Sequence, residues 1–128
     1  MNIGVRAERI AKSRLEGEFL QPFEKRNIII GATSRSFDWV SQDGTIAAQV
    51  KSCSKSFDQL TRAQLDTRLQ RDYLFDCLLL EKAPFQRRIF FLAGDRRLFD
   101  KFKDWSKGLI STNVEMRFID SAKFSECD

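Results

Sequence analysis

The chain has no histidine in 128 residues. That absence removes Ser-His-Asp and Cys-His nucleophile systems, histidine general bases and nearly all zinc enzymes. Any hydrolytic chemistry then rests on carboxylates, lysine and a hard cation such as Mg²⁺, which prefers oxygen ligands. Cysteine is scarce. Cys53, Cys77 and Cys127 are odd in number, widely spaced and without a Cys-x-x-Cys pair. They suit neither a disulfide framework nor a zinc site, so reduced thiols are expected. Proline occurs twice, at Pro22 and Pro84, and no repeat or low-complexity run divides the chain, so a single domain is expected. Long apolar runs are missing too. The stretch IFFLA at 89–93 is far too short to span a bilayer. The opening MNIGVRAERIAKSR carries charges where a secretion signal needs its apolar region. A cytoplasmic protein with no membrane partner is the expectation.

What is present argues for a packed globule: 42% hydrophobic residues, with phenylalanine counted twelve times. A net charge of +4, from 22 basic and 18 acidic residues, permits a nucleic-acid partner without demanding one. Apolar periodicity predicts a helix from Val5 to about Leu20, with Ala7, Ile10, Ala11 and Leu15 inward and Arg6, Arg9, Lys12 and Ser13 opposite. Glu8 breaks this pattern. It shares a face with Ala11, Leu15 and Phe19, so a carboxylate points toward the body of the protein and needs a partner. A salt bridge to a lysine or arginine and a place in a metal site are the two options.

Residues 26–32 read as a strand and TSRS at 33–36 as a loop. Asp43-Gly44 then signals a two-residue type I′ hairpin. In that register Asp38 lies across from Gln49, roughly 5 Å apart at Cβ. Alternation puts Thr45, Ala47, Gln49 and Lys51 on one face and Ile46, Ala48 and Val50 on the other. Asp38, Gln49 and Lys51 therefore converge, close enough for two side-chain oxygens to share a cation. The plain alternative is an ordinary hairpin with a polar wet face. Further along, residues 60–74 suit a helix carrying Gln64, Arg68 and Arg71 outward. FDCLLLE at 75–81 and RRIFFLA at 87–93 read as two strands joined around Pro84. Asp95 is placed to cap a helix that carries Leu98, Phe99, Phe102 and Trp105 inward, and VEMRFID alternates as a last strand. The expected order is αβββαββαβ, an α/β chain with a mixed central sheet flanked by helices.

An aspartate, then an acidic residue two positions before a lysine on the next strand, then a helix, is the core pattern of the PD-(D/E)XK nucleases. Phe37-Asp38 and Gln49-Val50-Lys51 resemble it. GVRAER at 4–9 is similar to the Gly-x-x-x-Glu-Arg opening of archaeal Holliday junction resolvases, and LTRAQLDTRL to the helix that follows the motif. The resemblance implies a restriction-endonuclease-like fold and DNA cleavage with Mg²⁺ or Mn²⁺. Asp38, the Gln49 oxygen, the Val50 carbonyl and Glu8 would hold the ion, and Lys51 would assist. Arg6, Arg9, Lys12, Ser34, Arg35, Gln64, Arg68 and Arg71 would meet the nucleic acid; each taken singly also reads as a solvated surface residue. A junction-cutting version needs two active sites and hence a homodimer. Phe37 replaces the name-giving proline, and Gln49 replaces the usual acid. A glutamine oxygen coordinates a cation but brings no charge. Gln-x-Lys also occurs in the endonuclease subunit of a heteromeric bacterial transposase. The glutamine also suits a second function class, a non-cutting nuclease-fold module that docks on DNA or on a protein.

Overall fold

The Asn2 side chain accepts the Val5 N–H at 2.9 Å and so starts the first helix of a computed structural model that describes residues 2–120. That helix, α1 (Ile3–Phe19), buries Ala7, Ala11 and Leu15 and ends at Leu20 in the left-handed conformation. Strands β1 (Phe23–Ile30), β2 (Thr33–Ser41) and β3 (Ile46–Ser52) follow as an antiparallel meander. Next come a 3₁₀ turn (Phe57–Gln59), α2 (Arg62–Thr67), a π turn (Arg68–Tyr73) and α3 (Leu74–Lys82). Strand β4 (Arg87–Gly94) lies parallel to β3, and after α4 (Arg96–Trp105) strand β5 (Val114–Asp120) lies parallel to β4. Parallel neighbours need a crossover, and the helices supply it. The sheet order is β1-β2-β3-β4-β5. The chain is α/β, a five-stranded mixed sheet with helices packed on it.

Strand alternation sorts the core into two layers. Ile46, Ala48 and Val50 join Ile89, Phe91 and Ala93 beneath α1. On the other face Ala47, Phe90 and Leu92 meet Tyr73, Cys77 and Leu80, together with Leu98 and Phe102 of α4. The Tyr73 and Phe90 rings stand 5.4 and 5.6 Å from Phe102. Each fully buried phenylalanine contributes about 1.5–3 kcal/mol. Among the described residues no helix is long and apolar enough to cross a membrane. Cys53 and Cys77 are free and buried, and Cys127 lies outside the described residues.

Three local expectations need correcting. Residues 33–36 are not a loop; they are the first part of β2, paired with residues 27–30 of β1. Residues 75–81 are not a strand. They lie in α3, whose Cys77 and Leu80 continue the helical spacing of Tyr73, the last residue of the π turn, toward the core. The hairpin turn is not type I′ either, because Gly44 (φ 75°) takes positive φ and Asp43 does not. The Gly44 N–H closes on the Ser41 carbonyl instead. The Asp43 carboxylate accepts from the Ser41 hydroxyl and from the Thr45 N–H and hydroxyl, which holds it well below the usual carboxylate range. The expected register survives, with Trp39 opposite Ala48 and Val40 opposite Ala47.

Candidate functional site

Strands β2 and β3 pair as strands only over these two couples. The cause lies in β2, which shifts register against β1 between its pairings with Glu24 and Arg26. The shift leaves Asp38 and Trp39 opposite Lys25, a bulge that bends β2 away from β3. Side chains then replace the missing ladder. The Gln49 Oε1 accepts the Asp38 N–H at 3.0 Å, and its Nε2 donates to the Ser36 carbonyl at 3.2 Å. Asp38 reciprocates, its Oδ2 accepting the Val50 N–H at 2.7 Å. Two polar side chains thus stand in for backbone across a split in the sheet.

At this split the sequence-identified residues gather. Asp38 is half-buried, and burial pushes its carboxyl up, against the Val50 N–H and the Lys25 and Lys51 ammonium groups that pull it down. Glu8 comes from α1, on the sheet face opposite Gln49 and Lys51, and senses the site through the gap. Its carboxyl is raised by burial first and by the Asp38 carboxylate second, with Lys25 and Lys51 opposing. Its backbone carbonyl accepts the Trp39 Nε1–H at 3.0 Å, which seats α1 over the bulge. Among the described residues no ion pair within 4 Å is found for Glu8, and the charges that act on it are the Lys25 and Lys51 ammonium groups and the Asp38 carboxylate.

Lys51 has a partner that the sequence reading missed. Its Nζ lies 3.6 Å from the Asp76 Oδ2, on α3. Asp76 is buried, and burial pushes its carboxyl up to about 6 despite Lys51, with Asp38 and Asp72 adding to the rise. Lys25, beside both Glu8 and Asp38, was missed as well. No signal in the Asp43-Gly44 hairpin gave it away, because Lys25 reaches Asp38 only through the register shift between β1 and β2.

The residues expected at a nucleic-acid surface are scattered. Arg9, Ser34, Arg35, Gln64 and Arg71 are exposed, and Arg6, Lys12 and Arg68 are half-buried. Lys12 sits over the Trp39 ring at 5.4 Å, and Arg35 sits over the Phe75 ring at 5.5 Å, one residue from Asp76. Arg68 pairs with Asp72 at 3.9 Å. Gln64 is occupied in a capping box, its Oε1 accepting the Thr61 N–H and its N–H donating to the Thr61 hydroxyl.

Whether these groups suit Mg²⁺ or Mn²⁺ follows from their donor atoms. No group of three or more histidine, cysteine or acidic side chains able to hold a metal occurs among the described residues. Gln49 is a poor ligand because its oxygen already accepts the Asp38 N–H, and what Asp38 engages on Val50 is the N–H, not the carbonyl expected at the ion. Glu8 and Asp38 do fit. Both are carboxyls made costly as anions by burial, and Glu8 also by Asp38, a condition that a hard cation relieves. Mg²⁺ is commonly held by one or two carboxylates and keeps its waters. Compared with protein-family models, curated proteins and solved structures, the chain matches none of them.

Proposed function

We propose that this protein is a Mg²⁺- or Mn²⁺-dependent DNA endonuclease of the PD-(D/E)XK type, with its centre at the split between β2 and β3. The observation that carries this reading is Asp38, half-buried and held to β3 through the Gln49 amide and the Val50 N–H, one residue from Lys51, with the half-buried Glu8 of α1 feeling its charge from the other side of the split. Glu8 and Asp38 would hold the ion. When bound, the ion would neutralise charge at the phosphoryl oxygens and lower the pKa of a water, so that hydroxide forms the new P–O bond as the bond to the leaving sugar oxygen breaks. Lys51 keeps a half-exposed ammonium beside these carboxylates and can donate to a phosphoryl oxygen as charge builds there. Gln49 acts as a brace rather than a ligand. Its amide fixes the Asp38 backbone, and through it the direction of the Asp38 carboxylate.

The test is nicking of supercoiled plasmid in Mg²⁺ or Mn²⁺ by the parent, Asp38→Ala and Lys51→Ala, each checked for folding. Cleavage should depend on the metal and fall at least about a hundredfold in both variants. Variants that cut as fast as the parent would dismiss this centre. The brace formed by Gln49 also suits the second reading, a non-cutting module that docks on DNA. Its mark would be a parent that binds plasmid but shows no cleavage and no heat of Mn²⁺ binding by calorimetry.

A further inference from the structure

Asp76 takes no part in the reaction outlined above, yet it is the ion-pair partner that Lys51 has among the described residues. Its position is unusual for a carboxylate. It lies in the first turn of α3, beside the buried Cys77 and between the buried Tyr73 and Leu80, and is itself 8% exposed. A buried carboxylate is costly unless a cation meets it, and here the cation is a lysine whose side chain is 40% exposed. The pair therefore joins a fixed helix to the mobile end of a long side chain at the mouth of the split. Lysine's flexible stem gives the ammonium many positions, and a group that must meet a phosphodiester needs one. The facing groups are few: Lys51 from β3, Asp38 from β2 and Asp72 from the π turn.

We propose that Asp76 is a positioning residue, which holds the Lys51 ammonium beside Asp38 for contact with the scissile phosphate of DNA. This rests on the nuclease reading, and adds to it that the helix after the motif sets the lysine. Burial of Asp76 agrees with the assignment, since a carboxylate fixed by packing passes its order on to its partner. Removing the Asp76 charge should leave DNA binding intact while the lysine loses its aim.

The experiment is steady-state cleavage of supercoiled plasmid in Mn²⁺ by the parent, Asp76→Asn, Asp76→Glu, Lys51→Met and the double variant Asp76→Asn/Lys51→Met. Alongside it runs ¹³C NMR titration of the Asp76 carboxyl in the parent and in Lys51→Met. Asp76→Asn should lower kcat on the order of 10- to 100-fold with KM changed less than about twofold, and Asp76→Glu should recover part of the loss. The double variant should be no slower than Lys51→Met alone, because Asp76 acts through the lysine. The Asp76 midpoint, near 6 in the parent, should rise in Lys51→Met. Parental kcat in Asp76→Asn, additive losses in the double variant or an unmoved midpoint would each overturn the proposal. A parent that cuts no plasmid while the midpoint still moves would instead sink the nuclease reading and the catalytic use of Asp76 with it, leaving only a structural pair.

Discussion

Gln49 spends both ends of its amide on the backbone of β2, and it is 3% exposed. Gln49→Glu tests that brace. The new carboxylate still accepts the Asp38 N–H, but its other oxygen faces the Ser36 carbonyl with no proton between them. A buried polar group left in that state costs about 1–3 kcal/mol. The variant should therefore unfold at lower urea than the parent at pH 8 in EDTA, with the deficit shrinking toward pH 5 as the carboxyl protonates. Equal stability at pH 8 would mean that the amide does not hold the split. Asp76 gives a second pH signature. Its carboxyl is raised to about 6, above its ordinary 3.8, so the folded state prefers it protonated. The stability it contributes is complete below pH 4 and is lost as pH climbs through 6, a decline on the order of 3 kcal/mol. Asp76→Asn should flatten that part of the urea-denaturation profile. An identical profile would show that Asp76 is not buried as described.

At the scale of elements, much of the arrangement was legible, and the failures have physical causes. The period of α1, the cap at Asp95 and the two faces of β3 each follow from local chemistry, and each is found. The apolar run at 75–81 misled because a continuous hydrophobic stretch has no period to separate strand from helix. Reading it as a strand hid Asp76, whose direction only becomes defined on a helix. Asp38 and Gln49 do meet, but through side chains rather than as a strand couple, and the bulge beside them depends on β1 and leaves no mark in the hairpin. Close approach at the far end of the site gives this scale its own prediction. Gly94 ends β4 with φ 143°, and a Cβ there would stand 2.7 Å from the Cys53 carbonyl oxygen, just past β3. Gly94→Ala forces the two strand ends apart and adopts a strained conformation, at a cost of about 1–3 kcal/mol or more. Its urea midpoint should drop accordingly. No drop would show that the ends of β3 and β4 have room to move.

For the whole molecule, the question is which surface meets DNA, since a net charge of +4 does not choose one. The split does choose. Its carboxylates open beside Lys25, and Arg35 stands over Phe75 next to Asp76, so these two exposed cations flank the same gap. Arg68 and Arg71 lie on the π turn, where Asp72 already offsets Arg68. A phosphate contact releases counterions and adds a little under one to the slope of log K against log salt. Lys25→Ala/Arg35→Ala should therefore weaken duplex binding and reduce that slope by about one to two, whereas Arg68→Ala/Arg71→Ala should reduce it by less. Fluorescence anisotropy on a labelled duplex in EDTA, across a salt series, separates the two faces without any cleavage. A larger loss of slope in the Arg68 and Arg71 variant would move the DNA to the helical surface. The carboxylate pair would then be turned away from its substrate, and a catalytic role for the split would no longer stand.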